Sequence, residues 1–323
     1  MNSTQCKYIA VTGVNGFIGY YTIQKLLDEG YNVIGISIED KCRIHHERLI
    51  YVKADIRDFD AINALFSQYN IYGLIHLAAI VHKKSNDLSY ENYYNVNYLS
   101  SKNIFELCVK SQVKKLLFAS TIEVYGDKKE DLILENFDCE PQSVYGKTKL
   151  LAEKALTDLV KSDEMNYAIM RFAPVYAKEF KLNINKRIYL IPDKIAYYFK
   201  SGEYSFNFCS INNILDFISS FLSATNVESG IYNISDSNIF NVKEIIKLEK
   251  KSNNRILTVR LPYYICLAMI LMIERIYFSF KKKESGISVC NFNKLFKSSR
   301  YSNMKAKRVV KEFKWDMVNT LYK

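Results

Sequence analysis

Short runs of consecutive apolar residues alternate along the first half of the chain with longer stretches in which apolar positions recur every three to four residues. The first kind of run predicts buried strands and the second amphipathic helices. Strands are expected at Tyr8 to Val11, Tyr31 to Ser37, Leu49 to Lys53, Gly73 to Leu77, Lys115 to Ala119 and Tyr167 to Ala173. Helices are expected after Gly16, with Ile23, Leu26 and Leu27 on one face, from an Asp58 N-cap to about Tyr69, over Tyr90 to Ser111, and from Pro141 onward through LLAEKALTDLV. Beyond about residue 178 the alternation weakens. Pro174 to Ile191 mixes Asn, Lys and Arg without a period; Tyr204 to Ile211 and Gly230 to Ile234 read as strands, and Asn213 to Ala224 and Val242 to Lys250 as helices. Strands that alternate with helices predict an α/β fold around a parallel sheet.

The first strand and helix are joined by Gly13, Gly16 and Gly19 at three-residue spacing. A strand, a glycine turn and a helix N-terminus form an anion cradle suited to a dinucleotide pyrophosphate. The spacing is GxxGxxG rather than GxGxxG. The pattern therefore predicts a Rossmann-type doubly wound parallel sheet over residues 1–178, with a return segment at about 204–224, and a smaller, interleaved C-terminal substrate domain over 179–323. Cofactor contacts are expected from Gly13, Gly16, Phe17, Ile18 and Gly19 at the turn, from Ser37, and from Asp55 and Ile56 after the third strand. The small residues after the fourth strand, Leu77, Ala78 and Ala79, are expected to lie against the cofactor. An acidic residue at the end of the second strand would select NAD by repelling a 2′-phosphate. Ser37 does not repel phosphate, whereas Glu39 is near enough to reach a ribose, so NAD and NADP both stay open.

Composition adds limits. The 323 residues, 49% apolar and 24% charged, are those of a globular chain. Seven scattered cysteines show no metal-binding spacing, so free thiols in a reducing compartment and no metal are expected. No basic stretch followed by an apolar one precedes the first strand, which points to a cytoplasmic chain. The net charge of +11 is uneven: from Lys281 onward there are twelve Lys and Arg against three Asp and Glu. No stacking platform or helix-turn-helix accompanies that tail, so nucleic acid is not an expected partner. Tyr263 to Ile273, YYICLAMILMI, is an unbroken apolar run, short of the roughly 18 residues a membrane span needs. It reads as a buried helix of the second domain or a dimer contact. The alternative is peripheral contact of 261–283 with an anionic membrane surface.

Candidate chemistry gathers after the fifth strand. Ser120 and Thr121 place hydroxyls at the carboxyl edge of the sheet, where ligands bind in open parallel sheets. Tyr145 and Lys149 are four residues apart and share a helix face. With TGVNGFIG at 12–19, ADIRD at 54–58, HLAA at 76–79, STIEVYG at 120–126, YGKTK at 145–149 and RFAPVYA at 171–177, the chain resembles the extended short-chain dehydrogenase/reductases of the NAD-dependent epimerase/dehydratase family, which act mainly on nucleotide sugars. The resemblance implies Tyr145 as acid/base, Lys149 as its partner and Thr121 as a hydroxyl that orients substrate, with Ser120, Asn183 and Arg187 as substrate contacts. A free phenol has a pKa of about 10. An adjacent ammonium and a cationic nicotinamide would lower it.

Departures from the family pattern narrow the reaction. Ile122 stands where dehydratases of the family carry an acidic residue, and it has no proton to give a leaving hydroxyl. The resemblance thus implies an NAD(P)-dependent epimerase that oxidises C4 of a UDP-hexose or UDP-hexosamine transiently, acting as a homodimer. The alternative is an NADPH-dependent 4-ketoreductase of a nucleotide 4-keto-6-deoxy sugar. A 4,6-dehydratase or a non-catalytic dinucleotide-binding protein ranks below both, since the tyrosine and lysine are both kept.

Overall fold

A computed structural model describes residues 7–81, 89–128, 130–160, 165–281, 289, 292 and 300–322. Cys6, Cys290, Lys282 and Lys283, which entered the sequence reading, lie outside them. Strands β1 (Tyr8–Thr12), β2 (Asn32–Ser37), β3 (Leu49–Lys53), β4 (Ile71–His76) and β5 (Lys115–Thr121) enter one parallel sheet. The short β6 (Leu132–Ile133) stands outside it, and β7 (Asn166–Phe172) joins next to β5. Continuous apolar runs such as Val33–Ile36 and Leu116–Phe118 are what a strand covered on both faces requires.

Helices α1 (Phe17–Asp28) and α2 (Phe59–Gln68) lie on opposite faces. Asp58 caps α2, accepting from the Ala61 amide. Short α3 (Tyr90–Tyr93) and α4 (Ser100–Lys110) are separated by a π-helical segment, Tyr94–Leu99, where one continuous α-helix was expected. The widened turn is fixed by Ser100, whose hydroxyl donates to the Asn95 carbonyl at 2.9 Å. It turns Asn97 inward, fully buried. Helix α5 (Val144–Leu159) is capped by Ser143 and packs with α2 and α4.

Beyond β7 the chain departs from its expected course. The segment read as irregular, Pro174 to Ile191, holds β8 (Val175–Tyr176), α6 (Leu182–Ile188) and β9 (Tyr189–Ile191), and β10 (Ile195–Phe199) follows it. Of the strand expected over Tyr204 to Ile211, only β11 (Cys209–Ser210) forms, paired with β8. Tyr204, Phe206 and Phe208 instead pack against a second core as a loop, and the carbonyls of Tyr204 and Phe208 accept from Val242 and Asp236. The chain then returns to the large sheet: α7 (Ile211–Ser223) covers the face that carries α1, and β12 (Gly230–Ile234) pairs with β7. The sheet order is β12-β7-β5-β4-β1-β2-β3, all parallel. The return therefore runs on past residue 224 to the end of β12.

The second core joins α6, β9 and β10 to α8 (Val242–Ser252), with Val242, Ile245 and Ile246 against Ile184 and Ile188. An edge strand, β13 (Leu257–Leu261), pairs with β10, and β14 (Arg300–Tyr301) with β6. Helices Met304–Val310 and Met317–Leu321 close the chain, the first on the large core through Ala306 and the second on the smaller core through Met317 and Leu321. Helix α9 (Tyr263–Lys281) holds the apolar run. It is not buried throughout: among its described side chains, Tyr263, Cys266, Leu267 and Ile270 face a small cluster with Tyr197, Phe199 and Phe292, and the others through Arg275 are largely exposed. Among the described residues no helix is long and apolar enough to cross a membrane.

Candidate active site

Two crevices open at the carboxyl ends of the sheet strands. The first, about 560 Å³, runs along β1, β2, β3 and β4. Of the residues expected at a cofactor, Gly13, Gly16, Ser37, Asp55, Ile56, Leu77, Ala78 and Ala79 line it. Gly13 has φ +74°, and a Cβ there would stand 2.9 Å from the Ala78 backbone. A Cβ on Gly19 would stand 2.1 Å from the Gly13 carbonyl oxygen, so glycine alone lets α1 sit this close to the turn. Gly16 is the N-cap of α1 and supplies no capping side chain. The first amides of the helix are thus left for another acceptor. Phe17 and Ile18 can serve only through these amides: the Phe17 ring stacks on Phe180 at 4.1 Å, away from the crevice, and Ile18 packs into the large core. A cradle with no room for a Cβ, an uncapped helix start and small residues opposite fit a dinucleotide.

Asp55 is already engaged. Arg57 donates its backbone amide at 2.9 Å and closes an ion pair at 2.6 Å, which holds the Asp55 carboxyl below its usual value. Arg57 itself lines the crevice, as do Ile38 and Glu39 beside Ser37. Sequence reasoning passed over Arg57, although it lies in the quoted ADIRD motif.

The loop after β4 is braced from behind. The Leu77 and Ala78 amides both donate to Thr12 Oγ1 at 3.2 Å. The Thr12 hydroxyl proton is therefore directed to His76 Nδ1, 2.7 Å away, which leaves the ring proton on Nε2, 2.9 Å from Ser101 Oγ. Ser101 donates to the Asn97 carbonyl at 2.8 Å, and the Asn97 amide bonds both the N–H and the C=O of Ile80. Burial and the nearby Lys149 push the His76 pKa down to about 3. His76 is accordingly a neutral relay in the packing.

The catalytic candidates lie on α5 and at the end of β5, and none of the three lines either crevice. Tyr145 and Lys149 occupy successive turns of α5, and Thr121 ends β5. Thr121 accepts the Glu123 amide at 3.2 Å, and Ser143 donates to the Glu123 carboxylate at 2.7 Å. Burial, reinforced by the Glu123 charge, raises the Tyr145 phenol well above its ordinary value. Burial lowers the Lys149 ammonium to about 7, with Glu153 pulling the other way. The lowering of the tyrosine expected from the sequence is thus absent from the protein alone; its positive partner is itself easily deprotonated.

Ser120 departs from its expected place. Its hydroxyl donates to Glu153, which is buried and paired with Arg171 through Nη2 at 2.6 Å and through Nε. It serves the interior of the sheet rather than the crevice. The second crevice, about 170 Å³, is lined by Ile122, Lys128, Pro174, Arg187, Asn207 and Tyr301 among others. The Arg187 guanidinium lies 5.3 Å from the centres of both the Phe206 and Phe208 rings and donates to the Asn183 carbonyl at 2.7 Å. The Asn183 side chain donates back to the Val175 carbonyl at 2.8 Å. Of the neighbouring cations, Lys181 is held by Glu249 at 3.0 Å, and Lys186 is exposed. Phe206, Asn207 and Tyr301 come from distant stretches, and no local motif marks them.

The model of the family described as "NAD dependent epimerase/dehydratase family" matches residues 9–235. A UDP-glucose 4-epimerase of Caenorhabditis elegans is 31% identical over 191 residues, 53% of this chain and 55% of its own length. One of Dictyostelium discoideum is 35% identical over 181 residues, 52% of each. The match thus spans about half the length of either relative. Among solved structures, a UDP-glucose 4-epimerase of Thermotoga maritima with UDP-glucose superposes with a TM-score of 0.74 at 21% identity, covering 97% of this chain and 96% of its own. A UDP-glucuronic acid 4-epimerase of Bacillus cereus in complex with NAD gives 0.73 at 21% identity, with 98% and 97% covered. Glycine turn, braced loop, tyrosine–lysine helix and family match agree, and the chain belongs to the NAD dependent epimerase/dehydratase family.

Proposed function

We propose that the chain is a nucleotide-sugar 4-epimerase that oxidises its substrate transiently, with NAD or NADP in the glycine-lined crevice and a UDP-hexose or UDP-hexosamine in the crevice at Arg187. The observation that carries this reading is the packing of α5, with Tyr145 and Lys149 on successive turns, against β5, which ends at Thr121 on the carboxyl edge of the sheet. The names of the relatives support C4 as the reacting carbon.

A nicotinamide held in the first crevice would supply reversible hydride acceptance at C4. Tyr145, as phenolate, takes the proton of the sugar 4-hydroxyl and gives it back when the hydride returns to the other face. Burial and Glu123 keep this phenol protonated in the protein alone, so positive charge beside it is needed to release the proton. Lys149 supplies part of that charge from the same helix face. The Thr121 hydroxyl fixes the sugar at the sheet edge, and Arg187 meets the diphosphate. Asp55, Arg57 and Ser37 hold the adenosine end, with Gly13 and Gly16 at the pyrophosphate.

The test is chemical analysis of the purified protein. Denaturation should release NAD in stoichiometric amount, identified by mass spectrometry, since an epimerase cycle never needs its carrier to leave. Empty protein that binds NADPH more tightly than NADH would instead favour the ketoreductase. Tyr145→Phe should keep the nucleotide and lose turnover; near-normal turnover in that variant removes Tyr145 from the mechanism.

A further inference from the structure

We propose that the outer face of α9 seats the protein on an anionic phospholipid surface. This goes beyond the reaction and does not depend on it. The first eleven residues of α9, Tyr263 to Ile273, carry no charge. One stripe, Tyr263, Cys266, Leu267 and Ile270, packs on Tyr197, Phe199 and Phe292. A helix covered on that side alone should be polar on the other. Here the outer side is apolar as well: Tyr264 is 82% exposed, Ile265 59%, Met269 49% and Met272 60%. Ile265, Met269 and Met272 follow one another at helical spacing, so the exposed residues form a continuous stripe.

The charges around the stripe say what covers it. Lys200 and Arg260, with Ser201, Tyr263 and Tyr264, line a groove at the N-terminal end of the helix. Arg275 is exposed beyond the far end of the run, and the sequence continues to Lys281. From Arg255 to Lys281 the one acidic residue is Glu274, and its carboxylate accepts the backbone amide of Val289. Both ends of the stripe are therefore basic. Two copies paired through it, parallel or antiparallel, would bring like charges together. A bilayer surface with anionic headgroups answers both features: its acyl boundary takes the stripe and its phosphates take the cations at each end. Tyr263 and Tyr264, apolar in body and polar at the tip, suit the level between them. At 19 residues α9 is about 28 Å long, but with one face already packed on the protein it lies along the surface.

The experiment is co-sedimentation of the full chain with vesicles of phosphatidylcholine alone, or of phosphatidylcholine and phosphatidylglycerol at two to one. The protein should pellet with the anionic vesicles at low salt, remain in the supernatant with the neutral ones, and be released in high salt. Met269→Glu/Met272→Glu places two charges on the outer stripe without touching the packed one. It should keep the wild-type Tm and lose at least ten-fold in vesicle binding. Wild-type protein that stays in the supernatant with anionic vesicles at low salt overturns the proposal. So does unchanged binding by the double variant, which would assign the lipid contact to the basic tail alone. A wild-type dimer in equilibrium sedimentation that the double variant dissolves, without vesicle binding by either, would put a second copy in place of the lipid.

Discussion

The Lys149 ammonium lies 4.0 Å from the centre of the Phe118 ring, with both residues buried between β5 and α5. Desolvation lowers its pKa to about 7, while the unfolded chain keeps the ordinary lysine value of about 10.4. Below pH 7 both states hold the proton, and the folded state carries the whole cost of a buried charge. Between pH 7 and 10 the unfolded chain binds more protons than the folded one, so stability rises with pH. The nucleotide-free protein should gain in Tm from pH 6 to pH 9. Lys149→Met, although inactive, should melt above wild type at pH 6, and the gap should close towards pH 10. Parallel melting curves for the two proteins across this range would mean that Lys149 carries no such cost.

The Glu153–Arg171 pair ties the Ser120 hydroxyl to the interior of the sheet. Both side chains are about 3% exposed, Ser120 donates to the same carboxylate, and Arg171 also lies over the Tyr125 ring at 4.6 Å. Removing one partner leaves the other charged and buried, a loss of about 3–5 kcal/mol. Glu153→Gln should therefore shift the urea midpoint strongly. Ser120→Ala removes one hydrogen bond, about 1 kcal/mol, and should leave KM near wild type. A raised KM for the nucleotide sugar in Ser120→Ala, without a matching loss of stability, would return Ser120 to the substrate.

Gly19 is the tightest point of the cofactor cradle. A methyl group 2.1 Å from the Gly13 carbonyl cannot be accommodated by a side-chain rotation, because both sides of the contact are backbone. Gly19→Ala should push α1 off the turn, cost about 1–3 kcal/mol, and abolish retention of nucleotide on purification. Gly30→Ala provides the comparison: a Cβ there meets nothing within 4 Å, and the position is remote from the crevice, although its φ of +86° still disfavours alanine. Loss of stability in both variants with loss of nucleotide only in Gly19→Ala would locate the anion cradle.

The first half of the chain was legible because its signals are local. Buried parallel strands are continuous apolar runs such as Val33–Ile36 and Leu116–Phe118, and the partly exposed edge strand Leu49–Lys53 has the bounds expected of it. The Asp58 cap and the glycine turn are side-chain and backbone devices contained in a few residues. What was not legible depends on distant partners. The π-helical turn at Tyr94–Leu99, fixed by Ser100 on the Asn95 carbonyl, faces Asn97 to the Ile80 backbone, a partner 17 residues away in the chain. Tyr204 to Phe208 look like a strand but face a core whose other wall is built by Val242, Ile245 and Met317. Tyr301 reaches the second crevice only because β14 pairs with β6, some 170 positions earlier in the chain. For α9, the apolar run was plain in the sequence; which side of it would find a protein neighbour was not.

Arg187 offers the sharpest test of the substrate crevice. Its guanidinium lies 5.3 Å from the centres of both the Phe206 and Phe208 rings, and its pKa is drawn below the ordinary arginine value by burial, so a bound anion beside it would be favoured. A diphosphate bound at this end of the crevice would supply it through paired N–H donors. Arg187→Lys keeps the charge but loses the planar fork and its contacts with the two rings. KM for the nucleotide sugar should rise about ten-fold or more, the equivalent of at least 1.4 kcal/mol, while the nucleotide retained on purification stays stoichiometric. Arg187→Met should go further in the same direction and melt at or above wild type in the absence of substrate, since a buried charge has been replaced by an apolar chain of similar length. A fall in turnover with KM unchanged, or loss of the retained nucleotide, would place Arg187 among the groups that shape the site rather than those that meet the substrate.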